Sequence, residues 1–305
     1  MSDTQQIRLG LVGYGEIGST LGQGLRGAGL QQIASYDKYA FDGPYSALIQ
    51  ARAAAAGVTL VGSPEQLVEA ADVIVSVTPG SASLESAEAF APHLTGRHVF
   101  IDIASATPKL KQGVAERLSS TNALLADGSI MGTPKDGFAM PILASGPAAE
   151  RVRDALVPWG MRIEAVGDVL GTASGIKIIR SVLIKGIEAL LDEMLLTARA
   201  YGIDDTVLAS ASKTLSRPWM ETVNSLIPTG VIHAQRRTEE VEMAAEAVQD
   251  AGIEPIMTRS TAARLRWKDQ LGMKEHFGGV VPPSYKEAVD AIASKIGQVR
   301  GGAGS

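Results

Sequence analysis

Residues 7–18 read Ile-Arg-Leu-Gly-Leu-Val-Gly-Tyr-Gly-Glu-Ile-Gly. The apolar run Ile7–Val12 feeds a turn of the form Gly13-x-Gly15-x-x-Gly18, and a helical pattern, Glu16–Gly27, follows. That order decides the fold, because it describes a strand entering a helix through a turn built for an anion. Gly13 permits the tight turn, Gly15 lets a phosphate approach the backbone, and Gly18 lets the helix pack close to the strand. The N–H groups around Tyr14, Glu16 and Ile17 then face the anion with the positive end of the helix dipole behind them. The glycine spacing alone is weak evidence, but its context strengthens it. Asp37 lies nineteen residues beyond Gly18, at the end of a second apolar run, Gln32–Tyr36. An acid there accepts hydrogen bonds from ribose hydroxyls.

These residues predict a dinucleotide site. NAD is expected in preference to NADP, because Asp37 would repel a 2′-phosphate. Lys38, next in sequence, would blunt that preference. The competing interpretation is a fold of the same type whose first loop binds nothing.

The remainder of the 305-residue chain alternates short apolar runs with helical stretches. Strands are expected at 7–12, 32–36, 59–61, 73–77, 98–101, 123–126, 140–144 and 161–166. Helices are expected between them, such as 16–27, 45–56 and 83–91. This alternation argues for an α/β domain with a parallel sheet covered by helices on both faces. Near Gly167-Asp168 the character changes. Residues 173–200 read as one long helix, nearly apolar all round in its middle and so expected to be buried on several sides. Further helices are expected at 206–215, 219–223, 236–251 and 260–270, with no strand after about residue 167. The expected organisation is a Rossmann-type dinucleotide-binding domain over 1–168 and an all-helical domain over 169–305.

Hydrophobic residues make up 45% of the chain and charged residues 20%, with a formal net charge of −5. No basic cluster is interleaved with aromatics, which argues against a nucleic-acid partner. Cysteine is absent, which excludes disulfides and thiolate chemistry. The four histidines show no metal-ligand spacing, so no metal is expected. The N-terminal residues are polar, without a signal-like apolar segment, and no apolar run is long enough to span a bilayer. The cytoplasm is the expected location, with no membrane partner. Residues 300–305, Arg-Gly-Gly-Ala-Gly-Ser, read as a disordered tail or an appended remnant.

The plan resembles the β-hydroxyacid dehydrogenase superfamily, which includes 3-hydroxyisobutyrate dehydrogenase and 6-phosphogluconate dehydrogenase. Besides the glycine turn, the resemblance rests on three further segments. Val77-Thr78-Pro79 and Ile101-Asp102-Ile103-Ala104-Ser105 are similar to two loops that flank the cofactor in that family. The resemblance implies that Thr78, Pro79 and Ser105 contact it; alternatively, Asp102 and Ser105 cap the next helix. Asp127-Gly-Ser129-Ile-Met131-Gly132 stands in place of the substrate loop, which implies substrate contacts at Ser129, Met131 and Gly132. Met131 replaces the usual serine, making a pocket there more apolar and adaptable, or else it packs under the loop.

The last segment is Gly171-Thr-Ala-Ser-Gly-Ile-Lys177-Ile-Ile-Arg-Ser181. Here the resemblance assigns Lys177 as the catalytic lysine and places Ser181 where asparagine is usual. An apolar setting lowers a lysine's pKa and suits proton exchange near neutral pH. The alternative is a surface lysine whose stem snorkels along the helix.

The second half is similar to a variant, 6-phosphogluconate-dehydrogenase-like branch with an Arg-Arg-x-x-Glu signature, here Arg236-Arg237-Thr-Glu239-Glu240. Arg236 and Arg237 would hold a substrate carboxylate or phosphate, or simply pair with Glu239, Glu240 or Glu242. His233 is an alternative proton donor. The resemblance implies an NAD(P)-dependent oxidoreductase acting on a 3-hydroxy acid or related alcohol, with a small-molecule substrate. It also implies a homodimer paired through the helical domain. The alternatives are an imine reductase, whose members usually carry another residue at the position of Lys177, and a dinucleotide-binding regulator without turnover.

Overall fold

The computed structural model describes residues 6–302. Strands β1 (Arg8–Val12), β2 (Gln32–Tyr36), β3 (Thr59–Val61), β4 (Val73–Ser76), β5 (Val99–Asp102), β6 (Leu124–Ile130), β7 (Pro141–Ser145) and β8 (Arg162–Ala165) form one sheet. Their order is β3-β2-β1-β4-β5-β6-β7-β8. Helices α1 (Glu16–Gly27), α2 (Ser46–Ala56), α3 (Pro64–Ala70), α4 (Ser83–Phe90), α5 (Pro108–Leu118) and α6 (Ala149–Leu156) connect them.

Strand residues alternate between the two faces of the sheet, as a buried strand must. Val73, Val75, Val99 and Ile101 join one core cluster with Leu9, Leu11 and Leu21. Ile74 and Phe100, the residues between them, join a second cluster with Leu67, Phe90 and Leu118. The two clusters sandwich the sheet under its helices.

The sheet departs from the expected parallel arrangement at one pairing, so that its last two strands run against the other six. β7 runs antiparallel to β6, with Asp127 opposite Ser145 and Ile130 opposite Ile142, and β8 then runs parallel to β7. The reason is the length of the link. Residues 131–140 hold only a short 3₁₀ turn, Pro134–Ala139, whereas a parallel crossover needs a dozen or more residues.

Beyond the sheet the described chain is helical: α7 (Thr172–Ala200), α8 (Asp204–Leu215), α9 (Trp219–Ile232), α10 (Ala234–Asp250), α11 (Ile256–Gln270), α12 (Met273–His276) and α13 (Tyr285–Gly302). Close packing divides the chain into residues up to Val182 and residues from Leu183, so the division falls inside α7.

The helical unit has its own small core, in which Val231, Ile232, Met273 and Ala288 pack with Ile227, Leu271 and Phe277. The buried Glu193 carboxylate accepts the Met257 and Thr258 N–H groups, each at 2.8 Å, and so satisfies the first turn of α11. α9 runs to Ile232, well past the expected end at 223, and carries Pro228 inside it.

The middle of α7 is not buried within one chain, contrary to the expectation from its composition. Ile179 is 72% exposed and Val182 76%, and Ile176, Ile178, Leu183, Ile184 and Ile187 are exposed as well. Among the described residues no helix is long and apolar enough to cross a membrane. Residues 300–302 continue α13 instead of forming a separate tail, and residues 303–305 lie outside the described residues.

Candidate functional site

A cleft of about 540 Å³ opens at the C-terminal ends of β1, β2, β4 and β5, the end where open α/β sheets place ligands. Gly13, Gly15, Glu16 and Ile17 form one wall, Asp37 the second, Thr78 and Pro79 the third, and Ser105 the fourth. Gly13 has φ +94°, a backbone conformation that favours glycine. A Cβ at Gly18 would lie 2.2 Å from the Gly13 carbonyl oxygen, so Gly18 sets the close turn without lining the cleft. Tyr14 also stays out of it. Its ring is fully buried in the core and only its backbone contributes.

The Asp37 carboxylate is held from two sides, accepting the Tyr14 N–H at 2.8 Å and the Tyr39 N–H at 2.9 Å. Lys38 Nζ turns to Glu85 Oε1 at 3.4 Å and lies 5.4 Å from the Tyr39 ring centroid. The residues fit a dinucleotide. A Cβ at Gly15 would meet nothing within 4 Å, so room is open against the backbone at the start of α1. The first-turn N–H groups there have no helical acceptor.

On the Ser105 side stands Lys177. It is half-buried on the first turns of α7, and its Nζ donates to Ser105 Oγ at 2.7 Å. Burial holds its ammonium below the usual lysine range, and the charge of Lys111 adds to the effect. Ser105 does not cap α5. Thr107 does, accepting the Leu110 N–H at 3.3 Å.

Beneath this pair lies a charged network that sequence reading missed. Lys111, 2% exposed, donates from Nζ to the Asp102 carbonyl at 2.6 Å. The same Nζ is 3.1 Å from Asp102 Oδ2 and 3.5 Å from Asp127 Oδ1. Asp102 Oδ1 accepts the Ala104 N–H at 3.0 Å and so shapes the loop that carries Ser105. Asp127 Oδ2 accepts the Ser174 N–H at 2.9 Å and its hydroxyl at 2.8 Å, which fixes the start of α7 one turn before Lys177. Ser145 Oγ accepts the Ala173 N–H at 2.9 Å. One lysine thus ties together the two segments that bear Ser105 and Lys177.

The expected substrate residues are placed differently from one another. Asp127–Ile130 belong to β6 and are not a loop. Ser129 is 1% exposed, with no partner for its hydroxyl among the described residues. Met131 is half-buried, and its N–H donates to the Pro141 carbonyl at 2.7 Å. Gly132 is closed in, since a Cβ there would lie 2.8 Å from both Asp136 Oδ2 and Pro141 Cδ. Ser181 donates to the Lys177 carbonyl at 2.9 Å.

His233, Arg236 and Arg237 belong to the helical unit. His233 is exposed at the junction of α9 and α10. Arg236 pairs with Glu240 one turn along α10. Among the described residues Arg237 pairs with no carboxylate. It donates to Thr229 Oγ1 at 2.7 Å and to the Leu226 carbonyl at 3.4 Å.

The sheet and its cleft define a dinucleotide-binding protein with a dehydrogenase-like fold. Residues 8–167 match the NAD-binding domain of 6-phosphogluconate dehydrogenase, and residues 198–268 match a domain of unknown function, DUF1932. The chain belongs to the family of that NAD-binding domain.

It is 30% identical to a conserved hypothetical protein from Sinorhizobium meliloti 1021, over 96% of this chain and 97% of that one, with a TM-score of 0.64. A second solved protein of unknown function is described as structurally similar to 3-hydroxyacid dehydrogenases. It is 28% identical, over 90% of this chain and all of its own, with a TM-score of 0.61. A reductive aminase from Aspergillus terreus, in complex with NADPH4, cyclohexanone and allyl amine, shares the fold. It has a TM-score of 0.70 at 19% identity, over 94% of this chain and all of its own.

Proposed function

We propose that the chain is an NAD-dependent oxidoreductase that interconverts a 3-hydroxy acid or related alcohol and its carbonyl partner. The observation that carries this reading is Lys177 Nζ, 2.7 Å from a hydroxyl on the cleft wall and pushed below the ordinary lysine range. When bound, the dinucleotide supplies the hydride acceptor at its nicotinamide. The glycine turn and Asp37 orient it. In oxidation, the neutral Lys177 amine takes the hydroxyl proton as the carbonyl forms, then releases it to solvent. In reduction, the ammonium returns it. Ser105 holds Nζ in place before the proton moves.

The pH dependence tests this directly. Oxidation needs Lys177 neutral, so kcat/KM for oxidation rises with pH through a midpoint below the ordinary lysine value of about 10.4. Reduction needs it charged and falls through the same ionisation. A panel of hydroxy acids, alcohols, imines and their carbonyl partners, followed by NADH absorbance, gives the profile. Turnover on imines alone would move the reading to C=N reduction, and no turnover on any of them would leave a binding protein.

Asp37 sets the preference for NAD. With its carboxylate fixed by two N–H groups and Lys38 turned to Glu85, a 2′-phosphate would meet negative charge. The expected outcome is a higher kcat/KM with NAD than with NADP, narrowed in Asp37→Ser. A wild-type preference for NADP would remove Asp37 as selector.

The exposed stripe on α7 supports a homodimer, since contiguous apolar patches of this kind mark interfaces. Light scattering at micromolar concentration is expected to give twice the chain mass. Ile179→Glu, which places a charge in the stripe, is expected to yield monomer. A monomeric wild type would contradict the assignment.

A further inference from the structure

The helical unit holds a second charged feature that the oxidoreductase reading leaves unused. A Cβ built at Gly230, in the last turns of α9, would lie 3.2 Å from Arg237 Nη1 and 3.2 Å from Lys268 Nζ. The two cationic groups therefore converge over the same bare patch of helix and lie no more than twice that distance apart.

Arg237 is not a loose side chain. Arg237 is pinned by Thr229 Oγ1 and the Leu226 carbonyl. Thr229 Oγ1 in turn donates to the Ser225 carbonyl at 2.5 Å. Arg264, one turn before Lys268 on α11, lies 3.9 Å from the Trp267 ring centroid.

Two nearby carboxylates on α10 are engaged elsewhere, Glu240 with Arg236 and Glu242 with Arg266. Among the described residues Lys268 has no carboxylate partner. Burial, then the charges of Arg264 and Arg237, hold its ammonium below the usual lysine range. Like charges brought together on half-buried side chains cost free energy that a bound anion would return.

We propose that Arg237 and Lys268, converging over Gly230, form a binding site for a small oxyanion, a carboxylate or phosphate group. Arg237 offers planar donors and Lys268 a point charge, the combination that suits such a group. The glycine lets both cationic tips come close to the helix backbone and so to one another. Arg236, turned to Glu240, takes no part.

The test uses the intact protein with inorganic phosphate and with malonate, each titrated by calorimetry at ionic strength held constant with potassium chloride. Saturable binding of at least one is expected, and the comparison distinguishes phosphate from carboxylate. Lys268→Met lowers the affinity by about tenfold or more, the scale of a lost charged hydrogen bond. Lys268→Arg retains binding. Gly230→Ala puts a methyl 3.2 Å from both tips and displaces them, while replacing a helix-interior glycine by a better helix former, so it folds and weakens binding even if Lys268→Met does not fold. Absence of saturable binding in wild type would overturn the proposal, as would equal affinity in wild type and Gly230→Ala. Neither readout involves turnover or dinucleotide, so failure here leaves the oxidoreductase reading standing, and the converse also holds.

Discussion

Lys177→Ala lowers kcat by about two to four orders of magnitude, the usual scale for a lost general acid–base. NAD affinity stays nearly unchanged. The glycine turn, Asp37 and the Thr78-Pro79 loop, which form most of the cleft wall, do not depend on the Lys177 side chain. Among the described residues its Nζ bonds to Ser105 alone. Fold stability does not fall in this variant, because burial already disfavours the charged form of Lys177 in the native state. A melting temperature at or above that of wild type, with turnover lost, separates chemistry from folding. Ser105→Ala has a smaller effect, since the amine remains and only its orientation loosens. Near-normal turnover of Lys177→Ala at saturating substrate would show that another group carries the proton.

The sheet was legible because most of its strands are short, largely apolar runs set off by turns and helical stretches. All eight strands lie where those runs predict them, within a few residues. The direction of β7 was not legible from side-chain pattern. Strands buried on both faces show the same apolar run whether parallel or antiparallel, and only the shortness of residues 131–140 hints at the reversal.

The glycine turn that lines the cleft could be read because backbone geometry dictates it. A turn that takes φ +94° and a close helix approach demand glycines at fixed spacing. Lys111 escaped notice for the opposite reason. It sits two residues from Lys109 in a polar helix start, and lysine usually points to solvent. The signal lay in its spacing: residues 111, 114 and 118 form the buried stripe of α5, and a charge on such a stripe implies a buried partner. Arg236 and Arg237 form one motif in sequence, but neighbours on a helix point about 100° apart. One therefore pairs with Glu240 while the other packs on α9.

Lys111→Met destabilises the protein by about 3–5 kcal/mol, the cost of removing one partner from a buried ion pair. That is a large share of a typical total of about 5–15 kcal/mol. Lys111 is the cation between Asp102 and Asp127, and both carboxylates are nearly inaccessible to water. Asp102 Oδ2 and Asp127 Oδ1 have no hydrogen-bond partner among the described residues, so the ammonium alone offsets them. Removing it raises the buried charge from one unmatched negative to two, in a medium where each unmatched charge is expensive.

The expected measurement is a lower urea midpoint with an unchanged slope, which marks lost stability without a change in the surface exposed on unfolding. The double variant Lys111→Met/Asp102→Asn returns the network to a single negative charge. It keeps Asp127 on Ser174 and an oxygen able to accept the Ala104 N–H. It therefore recovers part of the loss, and the two changes are strongly non-additive, as contacting members of one network must be. If Lys111→Met and Asp102→Asn instead act additively, the ammonium does not compensate Asp102.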